Sequence, residues 1–284
     1  MNGSVATPQV YPSIRQSFSI LGVVVLMAVA CAPIELIRVW VGDEAATLVY
    51  YTSAFGLSFY IAHSLRKKNQ LVSQYNFTMT SWRLTIPLYF GTLALLVGVI
   101  GPLAALIPMP ESFERAMLAR AGQTGAFAFL LFVVIAPLLE ELIFRGVILD
   151  GLLRRYGPLT AILVSSVIFG LAHLNPWQFV TAFVLGCFMG WVYLRSGSLA
   201  GCVLIHMSAN FSGYLLRLLL AFGGETFEKS GTPGVGGGTV LGTIAFNTAW
   251  LTVFVASVYW LRRGFDARRH PPVEPDPVLQ TQAI

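Results

Sequence analysis

The chain has 284 residues, of which 56% are hydrophobic and only 11% charged, with a mean hydropathy of +0.71. Soluble domains carry about 25% charged and about 45–50% apolar residues, so a soluble fold is excluded. Disorder is excluded as well, because disordered chains are poor in apolar residues. The net charge is +5, but the basic residues stand between apolar runs, where they orient spans in a bilayer rather than meet nucleic acid.

Residues 1–16 are polar, contain Pro8 and Pro12, and lack the basic-then-apolar order of a cleaved signal peptide. They read as an N-terminal segment ahead of a retained first span. A span needs about 20 mainly apolar residues, and eight segments qualify: 17–40, 45–65, 85–108, 123–149, 159–176, 178–195, 199–222 and 240–262. The prediction is an all-α polytopic membrane protein of about eight transmembrane helices. It forms one transmembrane domain over 17–262, with a tail at 263–284. Phe113, Met117 and Leu118 share a helical face between the third and fourth spans, which suggests a short interfacial helix. The fifth and sixth spans are short and joined by Leu174-Asn175-Pro176-Trp177, a tight hairpin. Residues 223–239 are glycine-rich without a phosphate-loop pattern and read as a loop. Cys31, Cys187 and Cys202 lie in apolar runs and imply no disulfide framework.

With the N-terminus inside, twelve of the 18 basic residues fall on the inner side, among them Arg66, Lys67, Lys68, Arg154, Arg155, Arg262 and Arg263. The outer side holds Arg38, Arg115, Arg120 and Lys229. This positive-inside bias predicts an integral multi-pass protein with both termini cytoplasmic. Only Arg145 and Arg217 remain within spans, with the acids Glu35, Glu140 and Glu141 and the histidines His63, His173 and His206. Each unpaired charge at a helix centre costs about 2.5–3.5 kcal/mol on insertion scales. Glu140, Glu141 and Arg145, within six residues, therefore demand compensation. Glu141 and Arg145 are four apart with the acid N-terminal, the favoured intrahelical pair. Glu140 is rotated by about 100° and faces a different neighbour. One carboxylate is thus expected to be neutralised and the other to face a cavity. Glu35 is expected to pair with Arg38, three residues on.

In the fifth span, Ser165, Ser166, Gly170 and Ala172 allow close helix approach beside Phe169 and His173. In the seventh, His206 and Asn210 are four apart on one face. Taken together, a carboxylate and a histidine can activate water, and a histidine and an amide can donate to the oxyanion that forms on an attacked carbonyl. The embedded ionisable groups also suit an ion-coupled transporter, which no internal repeat supports, or a non-catalytic scaffold, which would be expected to lose one of them.

The order Glu140-Glu141-Leu142-Ile143-Phe144-Arg145, then Phe169 to His173, then His206 to Asn210 resembles the CAAX prenyl endopeptidase and bacteriocin-processing (CPBP, or Abi) family of intramembrane proteases. The motifs cover roughly residues 125–215, and the layout is similar to the prenyl-protein-processing branch. The resemblance implies that Glu140 and His173 activate the water, that His206 and Asn210 form the oxyanion hole, and that Glu141, Arg145 and Phe169 support the site around an intramembrane catalytic cavity. It implies a glutamic endopeptidase without a cofactor, acting on a membrane-tethered peptide or lipidated protein, prenylated at a CAAX-type terminus in that branch. A zinc-dependent version would use Glu140, His173 and His206 as three ligands with an open fourth position. At 1.5 Å per residue, Glu140 lies about 15 Å and His206 roughly 10 Å from the inner side. His173 falls near the outer end of its span, which fits this cavity less well.

Overall fold

The computed structural model describes residues 10–68, 75–78, 81–113, 115, 124–223 and 240–269. Among these there is no strand, and seven helices are long and apolar enough to cross a membrane. The chain is an all-α polytopic membrane protein. Its helices are α1 (Ile14–Val41), α2 (Asp43–Lys68), α3 (Trp82–Ala105), α4 (Ala126–Leu153), α5 (Pro158–Leu171), α6 (Pro176–Ser196), α7 (Leu199–Gly223) and α8 (Val240–Arg269). The expected eighth span is α5, which has only 14 residues. At 1.5 Å per residue it is about 21 Å long, less than the roughly 30 Å of hydrocarbon. His173 stands in the turn that follows the C-terminal end of α5. The expected 159–176 span is thus a shorter helix, with His173 just beyond it rather than inside it. Of the interfacial helix expected beyond Pro110, residues 111–113 are helical, and Phe113 packs on Trp177 at 4.4 Å between ring centroids. Met117 and Leu118, like the glycine-rich segment 224–239, lie outside the described residues.

Helix α4 is the centre of the bundle. Half of its apolar window is buried, against 6% for the peripheral α8, and it packs against α2, α5 and α7. It is not uniformly wound, having π-helical turns at Leu130–Ile135 and Leu142–Leu149. The first has a local cause. A proline ring collides with the carbonyl four residues before it, and Pro137 follows this turn by two residues. Widening the turn removes the collision. The same device recurs in α3, where the π-turn Leu96–Ile100 precedes Pro102 by two residues. The second turn of α4 contains no proline. There the carbonyls of Gly146 and Val147 accept hydrogen bonds from Arg66 Nη1 at 2.9 and 2.8 Å. Arg66 is fully buried and forms an ion pair with Asp150. An arginine counted in the cytoplasmic charge bias is thus an internal strut between α2 and α4.

Small residues set the helix spacings, as membrane packing requires. In the α5–α6 hairpin, Ser166 faces Gly186 and Gly170 faces Phe179, each so closely that a Cβ on the glycine would fall at 3.1 Å or less. Asn175 caps α6 by accepting from Gln178 N at 2.8 Å. Helices α3 and α8 run antiparallel with a seven-residue repeat of contacts: Leu84 against Gly264, Gly91 against Ser257, Gly98 against Trp250. A methyl group at Gly98 would stand 2.8 Å from Trp250 Cβ, whereas one at Gly22 would meet nothing within 4 Å. Overpacking of this kind typically costs about 1–3 kcal/mol. Gly98→Leu is therefore expected to lower the thermal unfolding midpoint in detergent and Gly22→Leu to leave it unchanged. Equal midpoints for both variants would contradict the seam.

Candidate active site

The site is assembled from α2, α4, α5 and α7. Glu140 and Glu141 end the short α-helical stretch Ala136–Glu141 between the two π-turns of α4, so the change of winding occurs at the carboxylates themselves. As the spacing predicts, they face different partners. Glu141 is fully buried, and its Oε1 accepts from Arg145 Nη1 at 2.8 Å. The same oxygen lies 2.9 Å from His206 Nδ1 on α7. A carboxylate can only accept, so that nitrogen carries the hydrogen. Arg145, also fully buried, lays its guanidinium over the Phe169 ring at 4.3 Å, a cation–π contact that gains strength from desolvation.

Glu140 is 8% exposed. Its Oε1 accepts a short hydrogen bond from the Tyr51 hydroxyl on α2. Its Oε2 has no hydrogen-bond partner among the described residues and lies 3.9 Å from His206 Nε2. His206 therefore bridges the locked carboxylate and the free one through its two ring nitrogens. Tyr51 was not singled out from the sequence. Nothing local marks it, since a tyrosine in an apolar span is ordinary and its partner lies 89 positions away.

His173 directs Nδ1 at the Phe169 carbonyl, 3.0 Å away. A carbonyl cannot donate, so Nδ1 carries the hydrogen and, in the neutral ring, Nε2 is left as the basic nitrogen. The Phe169 ring stands edge-on to both His173 and His206, at 5.2 and 5.6 Å between centroids. One aromatic side chain thus brings the two histidine motifs together. Asn210, one turn beyond His206, donates Nδ2 to the Phe132 carbonyl at 2.8 Å. In the π-turn the amide of Ala136 reaches back to Leu131. The next amide in that register would serve Phe132, but it belongs to Pro137, which has none. Asn210 supplies the missing donor, a structural bond that the sequence reading did not anticipate, and retains a second amide hydrogen.

The remaining embedded groups have separate places. His63 Nδ1 lies 2.8 Å from the Tyr75 hydroxyl, and Arg217 stacks over Phe132 at 5.8 Å. The expected Glu35–Arg38 pair does not form. Arg38 is exposed, where an ion pair is worth only about 0–1 kcal/mol. Among the described residues no three His, Cys, Asp or Glu side chains converge as a metal-ligand group. The set Glu140, His173 and His206 therefore does not have the geometry of a three-ligand zinc site.

Breaking a buried ion pair from one side strands its partner at a cost of about 3–5 kcal/mol, whereas replacing both members by apolar residues is often neutral. Glu141→Leu and Arg145→Met are each expected to lower stability by that order in thermal unfolding of detergent-solubilised protein. The double variant should recover most of the loss, and additive losses would show that the two side chains do not act as a pair.

Comparison with known proteins adds an independent line. Residues 122–212 match the family model "Type II CAAX prenyl endopeptidase Rce1-like". The chain is 31% identical over 101 residues to CAAX prenyl protease 2 of Homo sapiens, covering 28% of this chain and 31% of that protein. It is 37% identical over 99 residues to the membrane-embedded CAAX protease MroQ of Staphylococcus aureus, covering 32% and 40%. An uncharacterized 24.3 kDa protein of Escherichia coli is 31% identical over 137 residues, covering 46% and 63%. The chain thus spans less than two thirds of the length of each of these relatives, and no solved structure matches. The matched segment contains Glu140, Glu141, Arg145, Phe169, His173, His206 and Asn210, so residues 122–212 carry the pattern of the Rce1-like type II CAAX prenyl endopeptidases.

Proposed function

We propose that this chain is an intramembrane endopeptidase in which Glu140 activates water without a metal. The carrying observation is the different company of the two carboxylates: each keeps its Oε2 free of hydrogen bonds, but Glu141 is charge-paired with Arg145 and held by His206, while Glu140 is held only by the neutral Tyr51 hydroxyl. A free carboxylate oxygen in a shielded site is what a general base requires. In the proposed reaction, a water held at Glu140 Oε2 and His173 Nε2 attacks the scissile carbonyl carbon. Its proton passes to the carboxylate as the C–O bond forms. The oxyanion is received by His206 Nε2 and the second Nδ2 hydrogen of Asn210. For Nε2 to donate, His206 must be protonated while Nδ1–H stays on Glu141, and a proton there offsets the second buried carboxylate. The C–N bond then breaks as Glu140 returns its proton to the leaving amine.

The proposed substrate is a membrane-tethered peptide or lipidated protein, of which a prenylated CAAX terminus is the case suggested by the names of the relatives. Entry from the cytoplasmic side follows from the charge bias, which supports cytoplasmic termini flanking one transmembrane domain over 17–262.

The deciding assay is cleavage of an internally quenched peptide ending in farnesylated Cys-aliphatic-aliphatic-X by detergent-purified protein. Glu140→Gln should reduce the rate by roughly 10²–10⁴-fold, the usual contribution of a general base, and a strong zinc chelator should leave the wild type active. Activity retained by the variant would remove Glu140 from the mechanism. Loss on chelation with recovery on added zinc would replace it with a metalloprotease. In the same assay Tyr51→Phe should lower kcat by about 10–150-fold with KM little changed, since one hydrogen bond to a charged group is worth about 1.5–3 kcal/mol.

A further inference from the structure

Away from the site, a groove of about 830 Å³ opens on the outside of the bundle, between the first turns of α3 and the last turns of α8. Its body is apolar, formed by Ile86, Pro87 and Phe90 of α3 and Val253 and Ala256 of α8. Its mouth is not. Arg83 and Arg263 line it, and each immediately precedes a member of the Leu84–Gly264 contact between the helices. The two cations thus start from adjacent points of the crossing. Trp82 and Trp260, 70% and 66% exposed, stand at the same end, and exposed tryptophans mark the headgroup level of a bilayer.

The charge at the mouth is uncompensated. Among the described residues no acidic side chain lines the groove. Asp266, the acid nearest Arg263 along α8, is taken by Arg195 at 3.1 Å and Arg262 at 3.9 Å. Arg263 instead donates to the Tyr259 hydroxyl at 3.2 Å. Two unmatched guanidiniums above an apolar cleft complement a molecule with an anionic head and hydrocarbon tails. Inorganic phosphate would leave the cleft unused. A second copy of the chain joined by two-fold symmetry through this face would bring the same cations together.

We propose that this groove is a binding site for one anionic phospholipid, its phosphate between Arg83 and Arg263 and an acyl chain along Ile86, Phe90 and Val253. The site is separate from the catalytic residues and does not rest on the endopeptidase reading.

The test uses the full-length chain in phosphatidylcholine vesicles containing increasing fractions of phosphatidylglycerol brominated on its acyl chains, with brominated phosphatidylcholine as the reference quencher. Tryptophan fluorescence should report a relative affinity for the anionic lipid roughly thirty-fold above that for the zwitterionic one, as expected for two basic groups at about 1 kcal/mol each near a charged surface. Arg83→Gln with Arg263→Gln should abolish the preference. Trp82→Phe with Trp260→Phe should remove the preferential component of quenching, because those residues are the reporters in the groove. Equal quenching by both lipids in the wild type overturns the proposal without any variant. So does a preference that survives either double substitution, which places the lipid elsewhere. Tryptophans shielded from both lipids in a dimer-sized species would make a second copy the occupant.

Discussion

The structure depends on the burial of Glu141. Its carboxylate is fully removed from solvent in a bundle whose surroundings are hydrocarbon, and an unpaired charge there would be prohibitively costly. Arg145 compensates that charge from one turn away on the same helix, and His206 approaches the same oxygen from α7. Arg145 in turn rests on Phe169 of α5. A single carboxylate thus ties together three helices distant in sequence, and each contact is polar or cation–π, hence directional. Apolar side chains alone could slide past one another in the membrane. This cluster selects one register.

A second constraint is the backbone itself. In hydrocarbon every carbonyl must find a donor, and the widened turns of α4 disturb the regular ladder that would supply one. The chain answers with side chains from other helices. Arg66 of α2 serves Gly146 and Val147, and Asn210 of α7 serves Phe132. These bonds hold α4 to its neighbours at the two ends of the stretch that carries the carboxylates. Pro137 can therefore be tolerated beside a functional site, and the distortion it causes is put to use as an inter-helix contact.

These two layers differ in how far they can be read from sequence. The Glu141–Arg145 pair is local, four positions apart, and the helical period alone predicts it. The separate facing of Glu140 follows from the same period, and the apolar runs mark the spans because composition averages over many residues. Tyr51 and Arg66 could not be read in this way. Their partners Glu140 and Asp150 are 89 and 84 positions distant, and no period connects them. Arg66 also sits beside Lys67 and Lys68, where charge counting assigns it to water although the fold buries it completely. Asn210 shows a subtler limit. Its position on the His206 face was evident, but its bond to Phe132 exists only because Pro137 falls in a π-turn.

The two layers meet at the imidazole of His206. Nδ1 is held by Glu141, which fixes the ring, and the fixed ring points Nε2 at the free oxygen of Glu140, 3.9 Å away. Arg145 therefore does more than neutralise a neighbour. Without it, Glu141 would be left with an uncompensated charge that a proton from His206 could satisfy, and a transfer from Nδ1 would leave a neutral ring with one fewer donor. Nε2 would keep its hydrogen, so in the proposed mechanism the locked pair supplies the charge and orientation of the ring rather than the donor itself. The adjacency of the two glutamates, which looks redundant as a sequence motif, gives them different partners within reach of one ring: Glu141 holds the histidine, and Glu140 takes the Tyr51 hydroxyl and, in the proposed mechanism, the water.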